Sequence, residues 1–342
     1  MTNEFEINYI NFFAFLDRIL TATKNQEKIF QTPIEHFLPE WNLPPELEYS
    51  PQIKQTKNPK KTALFLFTRA SIDRMSVSKS LQKRVLETWK NPEKRWIFYP
   101  KQVARKSIKS IEDALKQDFK YALPINPSLS AGQGYKKNAI TLIEFYNADP
   151  RNIIKGKTIK EAATDLQEFE GIKEIAYMII KEYHSRDLIS PIDPENLMFK
   201  IDIHKSRLPL QCGSINLKNG QRRVHHTALI NPFKQTYLQF CQERNLSSEE
   251  AMELDNALWV IGSEICVKKS YAHCDAFCPL QENHCRQMIQ YNTGKKKNDP
   301  TNPKGYVRDH FGRGSFIIHN QDGSLTEIRG QQQDLFFKAN KN

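Results

Sequence analysis

Four of the six cysteines in this 342-residue chain, Cys266, Cys274, Cys278 and Cys285, fall within twenty residues, at gaps of seven, three and six. Thiols this dense on one short segment form a metal-ligand set. Four cysteines suit tetrahedral zinc or an iron–sulfur cluster, and either needs its ligands on a tight loop that can wrap the metal. Structural disulfides and buried free thiols are the competing readings, and Cys212 and Cys241 read as the latter. Upstream lies Lys200-Ile-Asp202-Ile-His204-Lys205-Ser-Arg207, an acid between apolar residues and followed by bases. Such an aspartate either caps a helix or offers a carboxylate to a developing positive charge. Between the two, Phe169-Glu-Gly171-Ile172-Lys173 leaves room only for a tight turn between helical patterns. Its glycine reads as a plain helix C-cap or as part of a hairpin that turns backbone N–H groups and a helix start toward an anion.

The segments that must position these groups are mostly helical. Apolar residues at Tyr9, Phe12, Phe13, Leu16, Ile19 and Leu20 predict a helix over Phe5 to Leu20 with a wide buried face. Thr32 to Pro59 reads as an irregular connection with a short helical turn. Two core helices follow, from Lys60 and from Met75 to Trp89, broken near Arg69 to Asp73. Helical patterns recur at Val103 to Phe119, Lys136 to Tyr146, Ile159 to Phe169 and Glu174 to Tyr183, and Leu254 to Ile265 leads into Cys266. Glu182 to Asp202 and Lys218 to His226 read as long polar excursions. After Cys285 the composition shifts to a basic linker, Tyr291 to Lys304. Ser315 to His319 and Leu325 to Ile328 then flank a turn at Asp322-Gly323, a hairpin signal.

A formal charge of +11 and a pI near 9.2 point to a polyanionic partner, nucleic acid first. The 39% hydrophobic content supports a folded core. No run of eighteen apolar residues is present, and the first residues lack the basic start and apolar core of a signal peptide. The expectation is a cytoplasmic protein with no membrane partner.

In order, an apolar core helix, a Gly-Ile hairpin, an Asp-x-His and four cysteines after a final helix resemble the endonuclease III superfamily of helix-hairpin-helix DNA glycosylases (HhH-GPD). The resemblance runs from about Lys60 to Cys285. Ala63-Leu-Phe-Leu-Phe-Thr-Arg69-Ala-Ser-Ile-Asp73 looks like that family's early helix and DNA-facing turn, and Gly134-Tyr-Lys136-Lys137-Asn-Ala139 is similar to its second such turn. Leu166 to Ile172 resembles the hairpin, Ile201-Asp202-Ile-His204 the catalytic-aspartate motif, and Cys278-Pro-Leu-Gln the cluster loop of adenine-mismatch glycosylases. The fold implied is mainly α and two-lobed, with an iron–sulfur loop at 266–285 and a small β-hairpin tail. Its domains are an extension at 1–59, the glycosylase core at 60–285 and a basic linker with hairpin at 286–342.

The resemblance also implies chemistry. Asp202 is the catalytic carboxylate that stabilises an oxocarbenium-like sugar or directs water to it. The four cysteines hold a [4Fe-4S] cluster that is structural or DNA-binding and takes no part in glycosidic chemistry. Each gap is one residue longer than the family's usual spacing, so zinc stays open. The family's lyase lysine falls near Glu174 or Ile175, because the hairpin is one residue short. Monofunctional hydrolysis follows, with Lys173 as a substitute amine and Glu174 as a second acid or base kept as alternatives. A non-catalytic DNA-binding protein is the remaining reading. The wedge that fills the gap left by a flipped base falls near Ala70 and near Gln133 to Gly134. Ala70 and Gly134 are small, which leaves Arg69 or Gln133 for the role. Gly171, Ile172, Lys173, Lys136, Lys137, Lys205 and Arg207 are the other implied DNA contacts, and His204 is given no chemical step. The implied partner is double-stranded DNA, bound by a nucleoid-associated monomer.

Overall fold

A computed structural model describes residues 5–50, 55–73, 78–121, 128–197, 201–217, 223–266, 271–280, 285, 288–291, 306–308, 315–319 and 325–329. Among them the chain is mainly helical, as expected. No described helix is long and apolar enough to cross a membrane. The chain divides into two compact units, Leu38–Lys200 and a discontinuous one made of Met1–Phe37 with Ile201–Asn342. These boundaries differ from those expected at 59 and 285, because the N-terminal helix and the cysteine segment share one core.

The discontinuous unit opens with strand β1 (Phe5–Ile7), where periodicity predicts helix. The extended Asn8 explains the late start: its N–H donates to the Ser214 carbonyl at 2.8 Å, and its side chain accepts from Asn11 N to cap α1 (Tyr9–Lys24). Phe12, Phe15, Leu16 and Ile19 form the buried stripe of α1.

In the continuous unit, Pro39 and Pro45 each start a 3-10 turn, and a two-stranded ribbon follows, β2 (Tyr49–Ser50) with β3 (Gln55–Thr56). Helix α2 (Pro59–Ser71) begins with proline in its first turn and is buried all round from Thr62 to Ser71, the mark of a central helix. Helix α3 (Ser78–Lys90) brings Trp89 against Phe65, ring centroids 5.4 Å apart, and Phe98 stacks on Phe65 at 5.6 Å. Burying each such ring contributes roughly 1.5–3 kcal/mol. The single helix expected over Val103 to Phe119 is two, α4 (Pro100–Arg105) and α5 (Ile108–Phe119), because Ser107 turns extended and caps the second by accepting from Ser110 N. Helix α6 (Ala131–Tyr146) starts before Lys136, at a reciprocal capping box of Ser130 and Gln133. Helix α7 (Ile159–Gln167), a 3-10 turn at Lys173–Ile175 and α8 (Ala176–His184) complete the unit. The polar stretch after α8 holds a 3-10 turn at Pro194–Asn196.

The chain then returns with α9 (Ile203–Gln211), β4 (Ile215–Leu217), β5 (Arg223–His225) and α10 (His226–Glu243). Strand β4 pairs antiparallel with β1, Glu6 opposite Asn216. The basic loop between β4 and β5 lies outside the described residues. Helix α11 (Ser248–Val260) passes into a π-helical turn at Ile261–Ile265 that ends at Cys266. The cysteine segment is not all loop, since α12 (Tyr271–Phe277) carries Cys274. Beyond it, β6 (Met288–Tyr291), β8 (Ser315–His319) and β9 (Leu325–Arg329) form an antiparallel sheet in the order β6-β8-β9, while β7 (Tyr306–Arg308) pairs with β5. The expected hairpin is thus present with a third strand beside it. Its turn, and the linker beyond Tyr291, lie outside the described residues.

The core of this unit joins α1 to the later helices. Phe12 meets Phe233 and Phe13 meets Phe240 edge-on at 5.2 and 5.3 Å, and Arg244 grips Asp17 through two bonds of 2.9 and 2.7 Å.

Candidate active site, hairpin and thiol centre

Asp202 is the N-cap of α9. Its Oδ1 accepts from both His204 N at 2.9 Å and Lys205 N at 3.0 Å, while Oδ2 makes no hydrogen bond among the described residues. The carboxylate is therefore held by the helix backbone with one oxygen left available, so capping and chemistry are compatible roles here. The next turn is rigidly backed: a Cβ on Gly262, in the π-helical turn, would lie 2.4 Å from the His204 carbonyl oxygen. Only glycine allows that approach, and the π turn accommodates it. His204 packs edge-on to Trp259, and burial lowers its pKa, against the opposing charge of Asp202. Its Nδ1 has no hydrogen-bond partner among the described residues.

In the other unit, α7 and α8 are joined by the expected tight turn. Gly171 adopts φ +91°, and a Cβ there would sit 2.6 Å from the Ser71 carbonyl at the end of α2. Asn138 of α6 clamps the turn from a second side, donating to the Glu170 carbonyl and accepting from Glu170 N, both at 2.8 Å. Ile172 is fully buried beneath the turn. Lys173 is exposed with no partner among the described residues. Ile175 is buried, which removes it from any contact with a sugar. The Glu174 side chain lies outside what is described.

The thiols gather in the discontinuous unit. Burial raises the pKa of Cys266, Cys274 and Cys278, and neighbouring cysteines raise each further: Cys285 acts on all three, Cys274 on Cys266, and Cys278 on Cys274. Cys212, at the C-cap of α9, joins them; its thiol is hydrogen-bonded to that of Cys285, which with burial drives its pKa up. The Arg207 charge favours the Cys266 thiolate, and Lys28, which donates to the Asp275 carbonyl at 2.9 Å, favours that of Cys278. By type, this set of buried and half-buried thiols with flanking cations fits a thiolate-bound metal group. Among the described residues, no three His, Cys, Asp or Glu side chains stand close enough to hold one ion.

The chain path is similar to that of endonuclease III bound to DNA. A non-covalent endonuclease III–DNA complex matches at a TM-score of 0.45 and 13% identity, over 82% of this chain and 96% of that one. A trapped endonuclease III–DNA covalent intermediate, an estranged-adenine complex, matches at 0.45 and 14%, over 82% and 97%. These values establish no correspondence between residues. No family model and no curated protein matches the sequence.

Several implied DNA contacts are placed otherwise. Lys205 is 5% exposed and forms a buried ion pair with Asp255, so it does not reach a phosphate. Arg69 is 3% exposed, donates to Gln82 Oε1 at 2.8 Å and pairs with Asp73, which rules it out as a wedge. Ala70 and Gly134 are buried as well. Gln133 is exposed, but its side chain accepts from Ser130 N at 2.7 Å within the capping box. Lys137 pairs with Glu170 at 3.1 Å, and Lys136 donates to the Lys106 carbonyl at 2.8 Å. Sequence reasoning passed over Asn138, and it read Cys212 as a buried free thiol, which it is, without placing it beside the other cysteines. A polar residue on the buried stripe of Tyr135, Ala139 and Leu142 is the signal that marks Asn138, whereas a lone cysteine far from the others gives none.

Proposed function

We propose that the chain is a DNA N-glycosylase of the helix-hairpin-helix type, which takes a damaged, mismatched or modified base out of the duplex and hydrolyses its bond to deoxyribose. The observation that carries this reading is the state of Asp202: a carboxylate fixed by two backbone amides, with Oδ2 uncommitted. As the glycosidic bond breaks, positive charge grows on the sugar, and a preorganised carboxylate stabilises it without having to reorganise. Water supplies the oxygen that ends on C1′, and the departing base takes up a proton. The Gly171 turn, with its buried Ile172 and exposed Lys173, supports a role in gripping the phosphate backbone. The net charge of +11 supports the same partner.

The four cysteines would hold a [4Fe-4S] cluster, with zinc the second candidate. Bound there, the group supplies structure to the segment that follows α11 and no step in base release. A brown protein with broad visible absorbance and stoichiometric iron supports the cluster; a colourless protein containing zinc overturns it.

The test of the function is incubation with duplexes carrying a panel of lesions, mismatches and modified bases, scored for abasic sites. Base release from one of them, lost in Asp202→Asn with DNA binding retained, is the expected result. An equally active Asn variant overturns the mechanism, and salt-dependent binding with no release from any duplex points to a DNA-binding module instead. Because Lys173 is exposed and unpartnered among the described residues, a lyase reading has one specific candidate. Borohydride trapping of a protein–DNA adduct that disappears in Lys173→Gln would establish it, and hydrolysis without an adduct is the expected outcome.

A further inference from the structure

The continuous unit carries a second cationic surface beside the hairpin. Residues 101–110 contain Lys101, Arg105, Lys106 and Lys109 and no acidic residue. All four are exposed, and none has a carboxylate partner among the described residues. The acids that follow on the same helix are Glu112 and Asp113, neither of them paired with Lys109, and Asp118, which pairs with Lys94 at 2.5 Å. Lys109 lies in the first turn of α5, where a cation opposes the helix dipole and an anion would be favoured. The surface is joined to the hairpin by short, specific contacts. Asn138 and Lys137 hold Glu170 of the turn, the neighbouring Lys136 holds the Lys106 carbonyl at 2.8 Å, and Lys106 Nζ lies 5.2 Å from the centroid of the Trp96 ring. Gly132 lets the first turns of α5 and α6 approach, since a Cβ there would stand 2.8 Å from the Ile108 carbonyl oxygen.

We propose that Arg105, Lys106 and Lys109 form a phosphate-binding track that continues from the hairpin across the α4–α5 junction and takes the backbone of duplex DNA beyond the target nucleotide. This rests on the reading of the chain as a DNA-binding glycosylase and adds to it a surface outside the hairpin. Cations that repel one another on a folded surface are stabilised by a regularly spaced polyanion, and continuity with the backbone amides of the turn favours DNA over an anionic lipid surface.

The experiment measures fluorescence anisotropy of the full chain on a long duplex across salt concentrations, comparing wild type with the triple variant Arg105→Ala, Lys106→Ala, Lys109→Ala. A control triple, Lys83→Ala, Lys90→Ala, Lys160→Ala, removes the same charge from exposed positions elsewhere in the unit. Every phosphate that is no longer neutralised lowers the slope of log K against log salt by about 0.9, so the track variant is expected to lose ~2–3 in slope and at least about tenfold in affinity at physiological salt. The control should keep the wild-type slope. A track variant that binds like wild type, or a control that loses as much, overturns the proposal. Wild-type binding without base release from any duplex refutes the glycosylase reading but leaves the track to be scored by the same slopes. Absence of salt-dependent binding to any duplex overturns both, and binding to phosphatidylserine vesicles in place of DNA, lost in the track variant, reassigns the surface to lipid.

Discussion

The capping role of Asp202 and its proposed catalytic role can be separated by substitution. Asparagine caps a helix about as well as aspartate, whereas alanine forfeits about 1 kcal/mol. Asp202→Asn should therefore melt within about a degree or two of wild type while base release falls by roughly 10²–10³-fold, the scale of losing a preorganised electrostatic group. Asp202→Ala should lose both, by calorimetry and by release assay. His204 gives a second handle. Burial lowers its folded pKa below the ordinary 6.5, so the unfolded chain binds the proton more readily. Its contribution is fully present above about pH 6.5 and is lost as pH falls from there toward the folded pKa. Melting curves between pH 5 and 7 should show wild type losing more stability on acidification than His204→Gln, and parallel curves would refute the assignment. At this scale the sequence was legible where a motif forces geometry. Asp202 followed by Ile-His reads as a helix start and is one. The direction of a lysine was not legible: Lys205 and Lys136 look alike in sequence, yet the first enters the core because Asp255 waits there, fifty residues on.

At the scale of elements, the α7–α8 turn depends on its glycine for two reasons, a left-handed backbone and the nearness of the Ser71 carbonyl. Gly156 provides the comparison, since it has φ +70° with nothing within 4 Å of an added Cβ. Gly156→Ala should lose about 1–2 kcal/mol from backbone strain alone. Gly171→Ala should lose distinctly more in denaturant titration, and DNA affinity with it, because the turn must also shift away from α2. Equal losses would show that the close approach relaxes freely. Periodicity located α3, α7 and α8 because their apolar stripes are clean, and α2 was legible from its nearly continuous apolar run. It ran α4 and α5 together, since Ser107 interrupts the backbone without interrupting the stripe. Helix α10 was missed altogether: Pro232 sits in its interior, and a proline inside a run of apolar and polar residues reads as a break. The hairpin of β8 and β9 was legible from alternation, but β6 was not, because its pairing is contributed by residues far along the chain.

Over the whole molecule, the proposed metal group is the feature with the widest reach. Burial raises the pKa of Cys266 and Cys278, so the proposed metal group would displace protons on binding and couple directly to folding. Chelation, or Cys278→Ser, is expected to abolish visible absorbance and lower the melting temperature together; retention of the full melting temperature after metal loss would show that the segment is held by packing alone. Composition points to a polyanion as partner but carries no signal for the division into units. Composition shifts near 59 and 285, whereas packing divides the chain at 37 and 200, inside two stretches that read from sequence as irregular connections.

That division has a consequence for how the protein is made. Unit Leu38–Lys200 is one uninterrupted stretch and can complete its core while the rest is still being translated. The strand Phe5–Ile7 and the apolar stripe of α1 are synthesised before that unit but find their partners, Ile215–Leu217 and Phe233, only after some two hundred further residues have emerged from the ribosome. At roughly 5–20 residues per second, Phe12, Phe15 and Leu16 stay uncovered for about ten seconds or more, an interval in which this apolar stripe is the clearest target for a nascent-chain chaperone.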